Sequence, residues 1–139
     1  MKKPARINRH TRTRDDHASE TAEDYVEAVA ELVDTTGNCR VIDLAQHFQV
    51  SSVTVSKIIS RLNREGYVET KPYGPISLSV KGRKLASHCR KRHDVVHRFL
   101  LALGVSEQTA VIDSEGIEHH VSKETLRCMQ EFIDQAAQS

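Results

Sequence analysis

From Ala22 onward the apolar residues of this chain fall at helical spacing. Tyr25, Val29, Leu32 and Val33 stand at i, i+4, i+7 and i+8, with Asp24, Glu27 and Glu31 on the opposite side. That pattern predicts an amphipathic helix ended by Gly37-Asn38. Val41, Leu44, Ala45 and Phe48 form a second, short stripe, and Val55, Ile58, Ile59 and Leu62 a third. Between them lies "QVSS", where Ser51 or Ser52 is placed to cap the third helix. Two short amphipathic helices joined by a tight turn predict a helix-turn-helix. The segment "YVETKPYGPISLSV" then alternates, predicting two short strands around Lys71-Pro72-Tyr73-Gly74-Pro75, a turn too rich in proline to bond internally. Ser79 caps a long helix from about Val80 that carries Leu85, Cys89, Val96, Phe99, Leu100 and Leu103 and is closed by Gly104. "SEQTAVI" and "DSEGIEHH" read as short helices, and Ser122 opens a last one bearing Leu126, Met129, Phe132 and Ile133.

The expected architecture is therefore mainly α with a small β-hairpin wing. A winged helix-turn-helix DNA-binding domain spans 21–80, and a helical second domain spans 81–139. Residues 1–20 hold six Lys/Arg, almost no large apolar residue and no periodicity, so they are expected to be a disordered basic arm. A solvated tail and a contact with phosphates both fit it.

Composition narrows the class. With 139 residues the chain buries a real core in one compact unit or two small lobes. It has no run of about 18 apolar residues and no signal-peptide core, so a cytoplasmic protein without membrane contact is expected. Cys39, Cys89 and Cys128 are isolated, which fits reduced thiols rather than a disulfide framework or a CxxC site. The net charge of +1 hides a division: residues 1–37 carry −2, residues 38–92 carry +8 and residues 93–139 carry −5. A basic middle between acidic flanks suggests a lobe for a polyanion joined to one for cations.

The third helix turns Val53, Thr54, Lys57, Ser60, Arg61 and Arg64 away from its apolar stripe, with no acidic residue before Glu65. Helix-turn-helix proteins place the start of such a helix in the major groove. Ser51, Ser52, Thr54 and Lys57 are then candidates for bases or phosphates, Val53 for a thymine methyl, and Arg61 and Arg64 for the duplex. Lys71 and Tyr73, at the wing tip, are candidates for the sugar-phosphate backbone. The short apolar faces of the later helices predict packing against a second copy, a homodimer with two-fold symmetry on a palindromic site.

"EGIEHH", residues 115–120, raises a different chemistry. If the stretch is helical, Glu115, Glu118 and His119 share one face, as in a metal site, although a solvated charged face fits as well. His93 lies on the apolar stripe of the long helix, where a core histidine with one hydrogen-bond partner is the plainer reading.

Several motifs in order, "EDYVEAVAELV", "VSSVTVSKIISRLNREGYVE", "LSVKGRKLA", "KRHDVVHRFLLALGV" and "EGIEHHVS", resemble the manganese-responsive branch of the diphtheria-toxin-repressor family over about residues 22–136. That resemblance implies a metal-dependent transcriptional repressor of metal-uptake genes, with no enzymatic activity and no small organic substrate. It makes residues 81–139 a dimerisation and metal-binding domain. It also implies that Asp24, Glu27, His93, Glu115, Glu118 and His119 hold two Mn²⁺ ions per subunit, with Fe²⁺, Zn²⁺ or Cd²⁺ as substitutes. The iron-responsive branch usually has Met where Asp24 stands and Cys where Glu115 stands. Both differences add oxygen, and an all-oxygen-and-nitrogen donor set suits Mn²⁺. The chain reaches Ser139 without an SH3-like third domain, which also fits the manganese branch. An iron- or zinc-responsive repressor on the same fold, or a dinuclear metallohydrolase, are the alternative readings. Because imidazole must be neutral to coordinate, acidification around pH 6.5 is expected to weaken metal binding.

Overall fold

A computed structural model describes the backbone of residues 9–138 and the side chains of residues 18–138. Helix α1 (Arg9–Thr36) is followed by α2 (Val41–Phe48), α3 (Ser52–Arg64), strands β1 (Val68–Thr70) and β2 (Ile76–Leu78), and α4 (Val80–Leu103). Helix α5 (Glu107–Ile117), a 3-10 turn (Glu118–His120) and α6 (Lys123–Ala137) complete the chain.

The expected disordered arm is helical over residues 9–20; residues 1–8 lie outside the described residues. No apolar stripe marks that stretch, but a helix already anchored at Ala22 needs none to continue. Each added residue requires propagation rather than nucleation, and Arg, Ala and Glu are good helix formers.

The winged helix-turn-helix lobe, the reader lobe below, is built on α1. Ala22, Tyr25, Ala28 and Val29 pack with Leu44 and Ala45 of α2, Val55, Ile59 and Leu62 of α3, and Val68 and Ile76 of the hairpin. Tyr25 stacks on Phe48 with ring centroids 4.4 Å apart, which ties α1 to the end of α2. Ser51 is the N-cap of α3, accepting from the Thr54 amide at 3.1 Å. The tight turn before it is made by Gln49, in the left-handed conformation. The hairpin is antiparallel, with Glu69 opposite Ser77. Contrary to the sequence expectation, its turn does bond internally: the Gly74 amide donates to the Lys71 carbonyl at 2.9 Å. Pro72 and Pro75 flank that bond without supplying it, so their missing N–H groups cost nothing.

Helix α4 leaves the hairpin by a close approach. Ser79 caps it, accepting from the Gly82 amide, while the Ser79 amide donates to the Tyr67 carbonyl at 3.0 Å. A Cβ on Gly82 would stand 2.0 Å from the same Tyr67 oxygen. Only glycine lets the helix lie this near the strand. The far half of α4 packs on α5 and α6 through Val96, Ala110 and Ile133, with Phe99 edge-on to Phe132 at 5.4 Å. That core is thin. Leu103 and Ile112 remain 54% and 67% exposed, an apolar face that one chain does not cover.

Replacing Gly82 by Ala should therefore destabilise the fold by about 1–3 kcal/mol, as overpacking against fixed backbone does. Urea unfolding followed by circular dichroism measures it; an unchanged midpoint would mean that α4 is free to move off Tyr67.

Candidate functional site

Helix α1 carries Glu20, Glu23, Asp24 and Glu27 at i, i+3, i+4 and i+7, one acidic stripe along a single side. It meets α4 and the 3-10 turn after α5. The turn exists because Ser122 caps α6, accepting from the Thr125 amide, so α5 must stop a few residues earlier. The sequence predicts two short helices here, the second running through "DSEGIEHH" to His120 with three side chains on one face. Instead α5 ends at Ile117, and the tighter turn buries Glu118 to 1% exposure while Glu115 stays exposed.

His119 is the hub. Its Nε2 lies 3.0 Å from Asp24 Oδ1 and 3.5 Å from Glu118 Oε1, and its Nδ1 lies 2.6 Å from Glu23 Oε2. His93 reaches in from α4, its Nδ1 3.8 Å from Glu118 Oε2. One ligand-type atom from each of Glu27, Glu118 and His119 falls within a mutual 4.8 Å, and the same holds for Glu20, Asp24 and His119. Glu115 stands at the rim, lining an open cavity with Asp24, Glu27 and His47. Of the six residues the resemblance named, three, Asp24, Glu27 and His93, thus converge on two others, Glu118 and His119, with Glu115 beside them.

The site holds more negative charge than it can satisfy. Glu27 Oε1 and Glu118 Oε2 are buried with no hydrogen-bond partner. A buried, unpartnered carboxylate oxygen is costly, and a divalent cation is the natural partner for two of them. The residues present fit such an ion. Protons can also balance the charge. Burial, and then repulsion from Glu27, push Glu118 up to about 8. Burial also raises Glu27, with the charges of Asp24 and Glu115 adding to it and His119 opposing. Hydrogen bonds from His119 to Asp24 and then Glu23 raise its pKa to about 10. The expected pH dependence near 6.5 therefore moves upward, because His119 holds its proton well beyond the ordinary imidazole range. Cys89, the nearest sulfur, is pushed up to about 12 by burial and sits 3.5 Å from Arg92 Nη2, so it remains a thiol.

Two contributors escaped the sequence reading. Glu23 is buried, ion-paired to Arg92 of α4 and bonded to His119. Glu20 approaches His120 Nε2 at 3.3 Å. The signal was the i, i+3, i+4, i+7 spacing of four acids, of which only Asp24 and Glu27 were picked out.

The basic side lies across the reader lobe. Ser52, Val53, Lys57 and Arg64, together with Ser56 and Ser60, line a shallow groove on the solvent face of α3, and Val53 is 65% exposed. Lys71 and Tyr73 line a second groove between the wing and α3. Tyr73 is fully exposed in a left-handed backbone conformation (φ 58°), and its carbonyl accepts from Arg40 Nη1 at 3.2 Å. Ser51 and Thr54 are also at the helix start, but their hydroxyls face each other at 2.9 Å within the cap. Arg61 departs from the set: its Nη2 donates to the Ala18 carbonyl at 3.1 Å and its Nε approaches Glu65. The early part of α1 thus occupies a side chain expected to face DNA.

Comparison with known proteins gives a consistent picture. Residues 17–76 match the family described as iron dependent repressor, N-terminal DNA binding domain. Residues 79–139 match iron dependent repressor, metal binding and dimerisation domain. Transcriptional regulator MntR of Escherichia coli O6:H1 is 43% identical over 119 residues, covering 86% of this chain and 77% of that protein. A solved manganese-dependent transcriptional repressor in complex with manganese superposes with a TM-score of 0.73 at 25% identity, over 81% of this chain; this chain spans about half, 52%, of that one. ScaR with bound Zn²⁺ superposes with a TM-score of 0.70 at 26% identity, over 81% of this chain and 53% of that one.

The raised pKa values have a stability consequence. Glu118 and His119 both bind protons more tightly folded than unfolded, so between pH 4.5 and about 10 the metal-free fold loses stability as pH rises. Urea midpoints in chelator should fall steadily from pH 6 to pH 9, and Glu118→Gln should flatten the lower part of that slope. A wild-type midpoint independent of pH over this range contradicts the assignment.

Proposed function

The chain belongs to the iron-dependent repressor family, and on that footing we propose that it is a manganese-responsive repressor of metal-uptake genes. As a member it is a metal-responsive, DNA-binding transcriptional regulator rather than an enzyme, with a metal-binding and dimerisation domain. The proposal adds that Asp24, Glu27, His93, Glu115, Glu118 and His119 hold two Mn²⁺ ions per subunit, with Fe²⁺, Zn²⁺ or Cd²⁺ able to substitute. It also adds that a homodimer reads a palindromic operator, with Ser52, Val53, Lys57 and Arg64 at the groove and Lys71 and Tyr73 on the backbone.

The observation that carries this reading is the pair of buried, unpartnered oxygens on Glu27 and Glu118, one on each side of the junction between α1 and the second lobe. Their chemistry is hard: the donors brought together are carboxylate oxygens and imidazole nitrogens, which favours Mn²⁺ or Fe²⁺ over softer ions. When bound, a divalent cation supplies positive charge to a site where four carboxylates otherwise repel. Asp24 and Glu27 carry the consequence onward. They share α1 with Tyr25, which stacks on Phe48 of α2, so holding α1 against the turn also holds the helix-turn-helix. In a dimer joined through the uncovered face around Leu103 and Ile112, this fixes the distance between two readers. By linkage, operator binding tightens metal binding by the same factor.

Fluorescence anisotropy on a labelled palindromic operator, at fixed salt, tests the reading. Mn²⁺ should tighten binding at least tenfold and chelator reverse it, while Glu118→Gln should remove the response with the helical spectrum intact. Equal binding with and without every metal would reject the switch. A response to Fe²⁺ or Zn²⁺ but not Mn²⁺ would reassign the ion.

A further inference from the structure

We propose that Glu23 is a positioning residue of the metal centre: braced by Arg92, it accepts the Nδ1–H hydrogen bond of His119 and so holds Nε2 toward Asp24 and Glu118. The assignment rests on the reading of His119 as a ligand and adds the reason that this imidazole offers one nitrogen and not the other.

The geometry is specific. Glu23 Oε2 is shared between His119 Nδ1, at 2.6 Å, and the Arg92 guanidinium. All three side chains are nearly enclosed, with 3%, 11% and 12% of the His119, Glu23 and Arg92 side chains exposed. They come from three elements, the 3-10 turn, α1 and α4, so the chain of contacts crosses the junction between the lobes. With Nδ1–H held by Glu23, the proton that a bound cation would displace is the one on Nε2; that nitrogen faces the carboxylates of Asp24 and Glu118 and would be left with its lone pair there. The carboxylate behind the ring also makes Nε2 a stronger donor.

Glu23 is poorly placed to be a ligand itself. It belongs to neither group of mutually close ligand atoms among the described residues, and its Oε2 is already held by a guanidinium and an imidazole N–H. Arg92 serves Glu23 in turn: it supplies the charge that lets a carboxylate stay ionised in an enclosed place, and its neighbour His93 faces Glu118 from the same helix. A purely structural salt bridge would join α1 to α4 without touching His119. This one does touch it.

The test compares wild type, Glu23→Gln, and the double variant Glu23→Gln/Arg92→Gln, which removes both enclosed charges together and so guards against misfolding from an unpaired arginine. Mn²⁺ affinity is read by calorimetry, Co²⁺ ligand-field absorption reports the coordination sphere, and long-range ¹H–¹⁵N spectra of Cd²⁺-loaded protein report the His119 tautomer. Both variants should bind Mn²⁺ about 10–100-fold more weakly, as loss of a partner behind a ligating histidine does. The Co²⁺ bands should shift, and the Nδ1–H signature of His119 should broaden or move. Mn²⁺ affinity within twofold of wild type in both variants would overturn the proposal. So would weaker binding with the Co²⁺ bands and the His119 tautomer unchanged, which would reduce Glu23 to a distant charge. Failure of wild type itself to bind Mn²⁺ would overturn the metal-centre reading, and the role of Glu23 with it.

Discussion

Helix α1 is packed on two sides at once, and the rest of the molecule is arranged around that constraint. One side gives Ala22, Tyr25, Ala28 and Val29 to the core of the reader lobe. The other gives Glu23, Asp24 and Glu27 to a site completed by α4 and the turn after α5. Apolar packing is insensitive to ions, whereas the acidic side answers to whatever charge lies opposite. A single rigid helix thereby couples a surface set by hydrophobic burial to one set by electrostatics.

That acidic side is unusual for a folded interior. Carboxylates close together are normally separated or paired, and here Glu27 and Glu118 retain buried oxygens with no hydrogen-bond partner. Protons on Glu118 and His119 relieve the repulsion in the metal-free protein. On the proposed metal assignment, metal and protons would compete for the same side chains, and pH as well as ion concentration would tune the centre. Buried charge left short of partners costs stability, a pattern found at functional sites generally.

The two lobes also differ in self-sufficiency. The reader lobe closes its own core, helped by Gly82, which lets α4 leave directly alongside Tyr67. The apolar side chains buried in the second lobe are few and mostly small, Ala86, Cys89, Val96, Ala110 and Ile133 among the described residues, while Leu103 and Ile112 stay largely exposed. Residues 79–139 match a metal binding and dimerisation domain, and such a domain commonly completes its core with apolar side chains of a second copy.

Periodicity, caps and charge partition determined much of this from the sequence alone. The stripes at Tyr25/Val29, Val55/Ile59/Leu62 and Val96, the caps Ser51, Ser79 and Ser122, and the closing Gly104 all sit where helical spacing and hydrogen-bond chemistry put them, because those rules act over three or four residues. The ends of elements were less legible. The early start of α1 carries no apolar signature, and the 3-10 turn at Glu118 is imposed by the cap of the next helix. What only the tertiary structure decided was which side chains meet across the chain. Glu23 and Arg92 are 69 residues apart, and Glu23 and His119 are 96 apart. Helical period can say that Glu23 shares a stripe with Asp24, but nothing local says that an imidazole and a guanidinium will be waiting on that side. The same holds for Arg61, which local pattern assigned to the outward face of α3 and tertiary contact turned to Ala18. Short-range sterics are written residue by residue, whereas long-range electrostatic partners exist only once the chain has closed on itself.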